Sequence, residues 1–172
     1  MSREGAGIEI PADGRVPVRL RVNGSEHELD VEPGLLLIHL LRDRLRLKGT
    51  HVGCLTGDCG ACTVRFNGRI AKACTILAGT AFDSDVTTIE GIGTLGTLHP
   101  VQQAFWDMHG FQCGFCLPGM IFAAIELLDE KPSPDEAEVR RALSGNLCRC
   151  TGYQSQVAAV LAAAQKLQES RS

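Results

Sequence analysis

Apolar Val18, Leu20 and Val22 alternate with Arg19 and Arg21, a period of two that predicts a half-buried strand. Asn23-Gly24 marks a two-residue hairpin turn, and a return strand runs through Leu29 and Val31 to Pro33-Gly34. From Leu35 to Leu47 the spacing turns helical: Leu37, Ile38, Leu40, Leu41 and Leu45 form one face and Arg42, Asp43, Arg44 and Arg46 the other, with Gly49 as the stop. Thr63–Phe66 and Arg69–Leu77 flank Asn67-Gly68, a second hairpin, and Val86–Ile89 reads as a last short strand. From His99 the period stays helical. Pro100 opens a helix with Val101, Ala104, Phe105 and Met108 as its stripe, ended by His109-Gly110. Pro118 opens a second, apolar at Ile121, Phe122, Ile125 and Leu128. Ser133-Pro134-Asp135-Glu136 supplies a cap, a first-turn proline and acids for a third, ending near Leu143–Gly145. Tyr153 to about Leu167 is a fourth. The chain therefore divides into a tail (1–16), a small mixed sheet crossed by one helix (17–90), a linker (91–98), a compact four-helix unit (99–168) and a polar end (169–172).

The 172 residues are 44% apolar and 22% charged, an ordinary soluble balance, and the net charge of −3 gives no nucleic-acid footprint. No apolar run reaches the about 18 residues that span a bilayer, and the start, Met-Ser-Arg-Glu-Gly-Ala-Gly, has no apolar signal region, which points to the cytoplasm. The eight cysteines change the picture most. A reducing compartment disfavours four disulfides, and so does their tight local grouping.

Cys54, Cys59 and Cys62 are spaced C-x4-C-x2-C in a glycine-containing loop, with Cys74 following after eleven intervening residues. The loop spacing is the plant-type ferredoxin pattern for a [2Fe–2S] cluster, in which each iron completes a tetrahedron with two protein sulfurs. Gly57 and Gly60 let the loop bend tightly and turn N–H groups toward the sulfurs. A two-residue turn at Asn67-Gly68 pairs Phe66 with Arg69 and Cys62 with Ala73, bringing Cys74 within about 5–8 Å of the loop. In a regular ladder Cys74 faces away from Cys62, so the chain must leave strand geometry near Cys62. Cys113-x2-Cys116 and Cys148-x-Cys150 each join two helices, and the two loops can meet at one end of the helical unit as a second four-thiolate site. The short C-x-C bite is compatible with two sulfurs on one iron. Two structural zinc sites remain open, since C-x2-C occurs twice. A Rieske centre needs two histidine ligands, whereas His51 stands beside four thiolates already present, and His39 lies on the first helix without a ligand partner nearby. Gly91-Ile-Gly-Thr-Leu-Gly96 matches a dinucleotide fingerprint, but the next helix opens only after its last glycine, so it reads as a linker.

Gly53-Cys-x4-Cys59-Gly-Ala-Cys62-Thr-Val, Gln112-Cys113-Gly-Phe-Cys116-x-Pro-Gly119-Met120 and Gly145-Asn-Leu-Cys148-Arg-Cys150-Thr-Gly-Tyr153 occur in this order. Together, over about residues 17–165, they closely resemble the small iron–sulfur subunit of the molybdenum hydroxylases, the xanthine dehydrogenase, aldehyde oxidoreductase and aerobic carbon monoxide dehydrogenase family. The resemblance implies an α+β chain: an N-terminal ferredoxin-like β-grasp domain followed by a C-terminal four-helix [2Fe–2S] domain. It implies one cluster on Cys54, Cys59, Cys62 and Cys74, nearer flavin, and another on Cys113, Cys116, Cys148 and Cys150, nearer molybdenum. Gln112 and Cys150 would lie against a molybdenum–pterin dinucleotide held by a large subunit, and FAD would sit on a medium subunit, in a dimer of heterotrimers. The chain would relay electrons and leave substrate chemistry to the large subunit, in keeping with its lack of any nucleophile–base pair. A freestanding two-cluster carrier and a zinc-stabilised interaction module are the other readings.

Overall fold

In the computed structural model the described residues are 14–94 and 96–170, so most of the N-terminal tail, Leu95 and the last two residues lie outside them. The strands are β1 (Val16–Val22), β2 (Ser25–Val31), β3 (Thr63–Phe66), β4 (Arg69–Lys72) and β5 (Ser84–Thr87). They form one sheet in the order β2-β1-β5-β3-β4, with β1 and β5 parallel and the other neighbours antiparallel. The period of two is visible in β1, whose Val16, Val18, Leu20 and Val22 are buried while the residues between them are exposed. β1 thus begins at Val16, one residue inside the expected tail. β5 starts two residues earlier than expected and ends at Thr87.

Both Asn-Gly turns have positive φ at both residues, 50° and 81° at Asn23-Gly24 and 49° and 84° at Asn67-Gly68. That is the twist a two-residue hairpin requires. Each asparagine also ties its turn to the sheet. Asn67 Oδ1 accepts from the Asp85 N–H at 2.8 Å, and Asn23 Oδ1 from the Thr88 N–H at 2.8 Å.

The helix under the sheet is shorter than expected. α1 (Leu37–His39) widens into a π-helical turn over Leu40–Arg44, with the Leu45 N–H reaching Leu40 O at 3.0 Å. Leu35 and Leu36 stay extended because their backbones bond the segment at Ile76–Ala78. The stop is Arg46, at φ 63°, rather than Gly49. Arg42 then pins the following chain through Lys48 O and Thr50 O, each at 2.6 Å.

The second half holds α2 (Pro100–Asp107), α3 (Leu117–Glu130), α4 (Glu136–Leu143) and α5 (Gln154–Glu169). His99 caps α2: its Nδ1 accepts from the Val101 N–H, while its own N–H donates to Gln102 Oε1 at 2.9 Å. The α2 stripe stops at Phe105, since Met108 is exposed past the helix end. The cap of α4 is Asp135, not Ser133: Asp135 Oδ1 accepts from the Glu138 N–H and Glu138 returns a bond to the Asp135 N–H, both at 2.8 Å. No described helix is long and apolar enough to cross a membrane.

Each half has its own apolar core. Leu20, Leu37, Ile38, Leu40, Leu41 and Val64 fill the first; Phe105, Met120, Val139, Leu143, Val160 and Ala163 fill the second. The halves meet where α3 packs on β3 and β4. Arg65 pairs with Asp129 at 2.7 Å, Arg69 with Glu126 and Glu130 at 3.0 and 3.3 Å, and Glu126 accepts from the Ile70 N–H.

Candidate metal centres

The first cysteine loop folds on itself. Gly57 and Gly60 sit at φ 87° and 74°, and the N–H groups of Thr56 and Cys59 turn inward to Cys54 Sγ at 3.4 and 3.5 Å. The Thr56 hydroxyl and these N–H groups lower the Cys54 thiol to about 6, so it ionises readily. Cys62 and Cys74 lie deeper. Burial pushes the Cys62 thiol up to about 12, and the neighbouring Cys74 thiol adds to the rise. Cys62 sits opposite Ala73, whose N–H donates to Cys62 O at 3.1 Å. The problem of the outward-facing Cys74 is solved on both sides. Cys62 belongs to a turn closed by the Thr63 N–H on Gly60 O, and β4 gives way after Lys72 to a 3₁₀ turn, Ala73–Thr75, which swings Cys74 back.

The second set is assembled from two distant loops. Cys113 and Cys116 precede and open α3; Cys148 and Cys150 lie between α4 and α5. Cys150 Sγ lies 3.5 Å from Cys113 Sγ, and the Cys116 thiol interacts with that of Cys148. Cys150 thus sits beside Cys113 and Cys148 beside Cys116, with Cys148 also acting on Cys113 and Cys150. Burial pushes Cys116 up to about 12. Burial acts the same way on Cys148, but the Thr151 hydroxyl and backbone donors outweigh it and bring that thiol down to about 7. Cys113 is lowered by the Phe115 N–H, and the adjacent Cys150 is raised by Cys113. Among the described residues no three His, Cys, Asp or Glu gather around one point as a single metal ion requires. Thiols meeting in pairs suit two irons, each taking two sulfurs.

The two sets are joined. The Leu147 N–H, next to Cys148, donates to Cys59 O at 2.8 Å. Lys72 Nζ reaches Gly145 O at 2.6 Å, and the buried Asn146 Oδ1 accepts from the Thr63 hydroxyl at 3.4 Å. The fit is close enough that a methyl on Gly60 would strike Asn146 and Gly145 O, and one on Gly119 would strike Gly60 O. His51 is not directed at the thiols. Its Nδ1 pairs with Phe115 O at 2.8 Å and its ring stacks on Phe115, linking the first loop to the second. His39 instead pairs with Asp43 at 3.3 Å. Gln112 is exposed beside the exposed Cys113. In the glycine fingerprint, Thr94 and Thr97 bond each other's backbone and the helix begins only at Pro100, so no helix N-terminus meets the motif.

Three residues near the sulfurs were given no role by the sequence, although Asn146 and Tyr153 lie within the third cysteine motif. Asn146 is a loop amide buried by the other half. Tyr153, at φ 69°, turns its hydroxyl back to accept from the Cys148 N–H at 2.9 Å. Gln156 is fully buried in α5, with Nε2 at 3.4 Å from Cys116 Sγ and Oε1 without a partner. Only the Gly-Asn pair at 145–146, a turn signal, hints at any of them.

Two domain families match, end to end: "2Fe-2S iron-sulfur cluster binding domain" over residues 20–88 and "[2Fe-2S] binding domain" over 88–161. The first span contains Cys54 to Cys74 and the second Cys113 to Cys150. The chain is 46% identical over 143 residues to the 6-hydroxypseudooxynicotine dehydrogenase complex subunit beta of Paenarthrobacter nicotinovorans, covering 83% of this chain and 89% of that one. It is 44% identical over 139 residues to the nicotinate dehydrogenase small FeS subunit of Eubacterium barkeri, covering 81% and 88%. The chain belongs to the iron–sulfur subunits of the molybdenum hydroxylases. A chain of quinoline 2-oxidoreductase from Pseudomonas putida 86 superposes on this iron–sulfur subunit with a TM-score of 0.85 at 37% identity, over 90% of the subunit and 97% of that chain. The subunit's two matched domains account for [2Fe–2S] binding on this chain, and its thiol chemistry agrees. N–H and hydroxyl donors face Cys54, Cys113 and Cys148, while Cys62, Cys74 and Cys116 are held away from water.

Proposed function

We propose that this chain is the electron-transfer subunit of a molybdenum-containing hydroxylase. Cys54, Cys59, Cys62 and Cys74 would hold one [2Fe–2S] cluster and Cys113, Cys116, Cys148 and Cys150 the other. In this reading the fold is a ferredoxin-like β-grasp domain followed by a four-helix domain. When bound, each cluster supplies one-electron storage, passing on electrons from the molybdenum–pterin centre of a large subunit toward FAD on a medium subunit.

The single observation that carries the reading is the Leu147 N–H to Cys59 O bond. It links the chain beside Cys148 to Cys59 by one hydrogen bond, so the two thiolate sets share a continuous bonded route. Each set also has an outer edge. Gln112, Cys113 and Cys150 are exposed at the second set; Leu55, Thr56 and Asp58 are exposed around Cys54 at the first. The edge at the second set suits a partner's pterin, with Gln112 as amide donor and Cys150 in reach, and the edge at the first suits a flavin-bearing partner. The residues' own tasks are to hold the sulfurs in pairs, to donate N–H bonds to them and to keep water from Cys62, Cys74 and Cys116. None of them meets substrate.

Co-purification and metal analysis test this. The native chain should elute with a molybdenum-bearing partner, brown in colour, with about four irons per chain, two for each [2Fe–2S] site. A colourless zinc protein, or a chain running alone with full iron content, would contradict it.

A further inference from the structure

Gln156 makes little sense as a packing residue. It is fully buried, and burying an amide in a helical core is unfavourable unless its polar atoms are bonded. Its Oε1 has no partner, and its Nε2 meets Cys116 Sγ at 3.4 Å. A neutral thiol is a weak acceptor, whereas a thiolate on iron is a charged one, and a donor bond to a charged acceptor in a dry surrounding is strong. The amide's orientation follows from the same charge, since turning Oε1 toward the sulfur would set lone pairs against it. In the first thiolate set the donors to Cys54, backbone N–H groups and the Thr56 hydroxyl, all come from its own loop. The one buried sulfur of the second set has a donor from a helix, and that donor can be altered without touching the loop.

We propose that Gln156 tunes the reduction potential of the cluster held by Cys113, Cys116, Cys148 and Cys150, its Nε2–H donating to the Cys116 sulfur. This rests on the assignment of those four cysteines to a cluster. Reduction adds one electron and breaks no bond, and the added charge falls partly on the ligand sulfurs. A donor to sulfur therefore stabilises the reduced state more than the oxidised one and raises the potential. The second set is the one placed next to the pterin, so its potential sets how readily electrons enter the chain.

The test is a redox titration, followed by electron paramagnetic resonance, of the intact complex carrying Gln156→Leu, with Gln156→Met as a variant that keeps the side chain's length. Two signals are expected in the unaltered complex. In both variants the midpoint of the second-set signal should fall, so that at its original midpoint the reduced-to-oxidised ratio drops severalfold; a tenfold drop is about 59 mV for a one-electron couple. The first-set signal should not move and serves as the internal reference. Two signals with unchanged midpoints would overturn the proposal and leave the cluster assignment standing. Loss of the second signal in both variants would show that the amide holds the cluster rather than tunes it, which also overturns the proposal. A single signal in the unaltered complex would overturn the cluster assignment, and the proposal with it.

Discussion

The two cysteine sets reach similar clusters of sulfur by opposite means. In the first, three cysteines fall within nine residues and the fourth arrives across one hairpin, so the site is nearly local. In the second, thirty-one residues separate Cys116 from Cys148, and only the packing of α3, α4 and α5 brings them together. A local loop is shaped by its own turns; a tertiary site is only as firm as the core beneath it. The second site should therefore be the more sensitive to anything that loosens the chain.

Iron removal should have the largest effect. In a small unit, metal binding is part of the folding free energy. Chelated protein should lose much of its native circular dichroism signal, and amide exchange should open residues 111–116 and 146–153 before β1, β3 and β5. Equal protection in both regions would erase the distinction. Phe105→Ala comes next. Phe105 is fully buried in the helical core, and its truncation should cost about 3–5 kcal/mol. On heating, the variant should lose the second cluster's signal before the first, as followed by electron paramagnetic resonance of rapidly cooled samples.

Gly60→Ala strikes the contact between the sets. It combines a left-handed backbone with collision on Asn146 and Gly145 O, for about 2–4 kcal/mol in denaturant melts. Gly119→Ala meets the same contact without the backbone strain and should cost about 1–3 kcal/mol. Asp135→Ala removes the α4 cap for about 1 kcal/mol. Glu138, on the same cap, has its carboxyl held below the ordinary 4.5 by Lys131 and the Asp135 N–H. Its support is therefore complete above that value and fades as pH falls through the lower folded one; thermal melts of the native and Glu138→Gln proteins across that range should converge at the acid end. Smallest is Arg65→Ala, which opens a partly exposed ion pair with Asp129 and should cost no more than about 1 kcal/mol.

What could be read without the structure followed the same division. Strand β1, both Asn-Gly hairpins and the pairing of Cys62 with Ala73 come from local signals, period and turn chemistry, and all appear as expected. α1 was overextended because leucines occupy so many positions from Leu35 to Leu47 that periodicity marks no end; backbone bonds to Ile76–Ala78 decide where it starts. The cysteine groups were visible as spacing, but the partner of each sulfur in the second set was not. Cys150 with Cys113 and Cys148 with Cys116 is a tertiary pairing, and so are the buried amides of Asn146 and Gln156.

The central claim is that two separate four-cysteine sets each hold one [2Fe–2S] cluster. Spin quantification of the fully reduced protein, in the native chain and in Cys116→Ala, tests it most directly. The account predicts two distinguishable signals of about one spin each in the native chain, with about four irons, and a variant that keeps the first signal with about two irons. One signal in the native chain, or both signals surviving in Cys116→Ala, would contradict it.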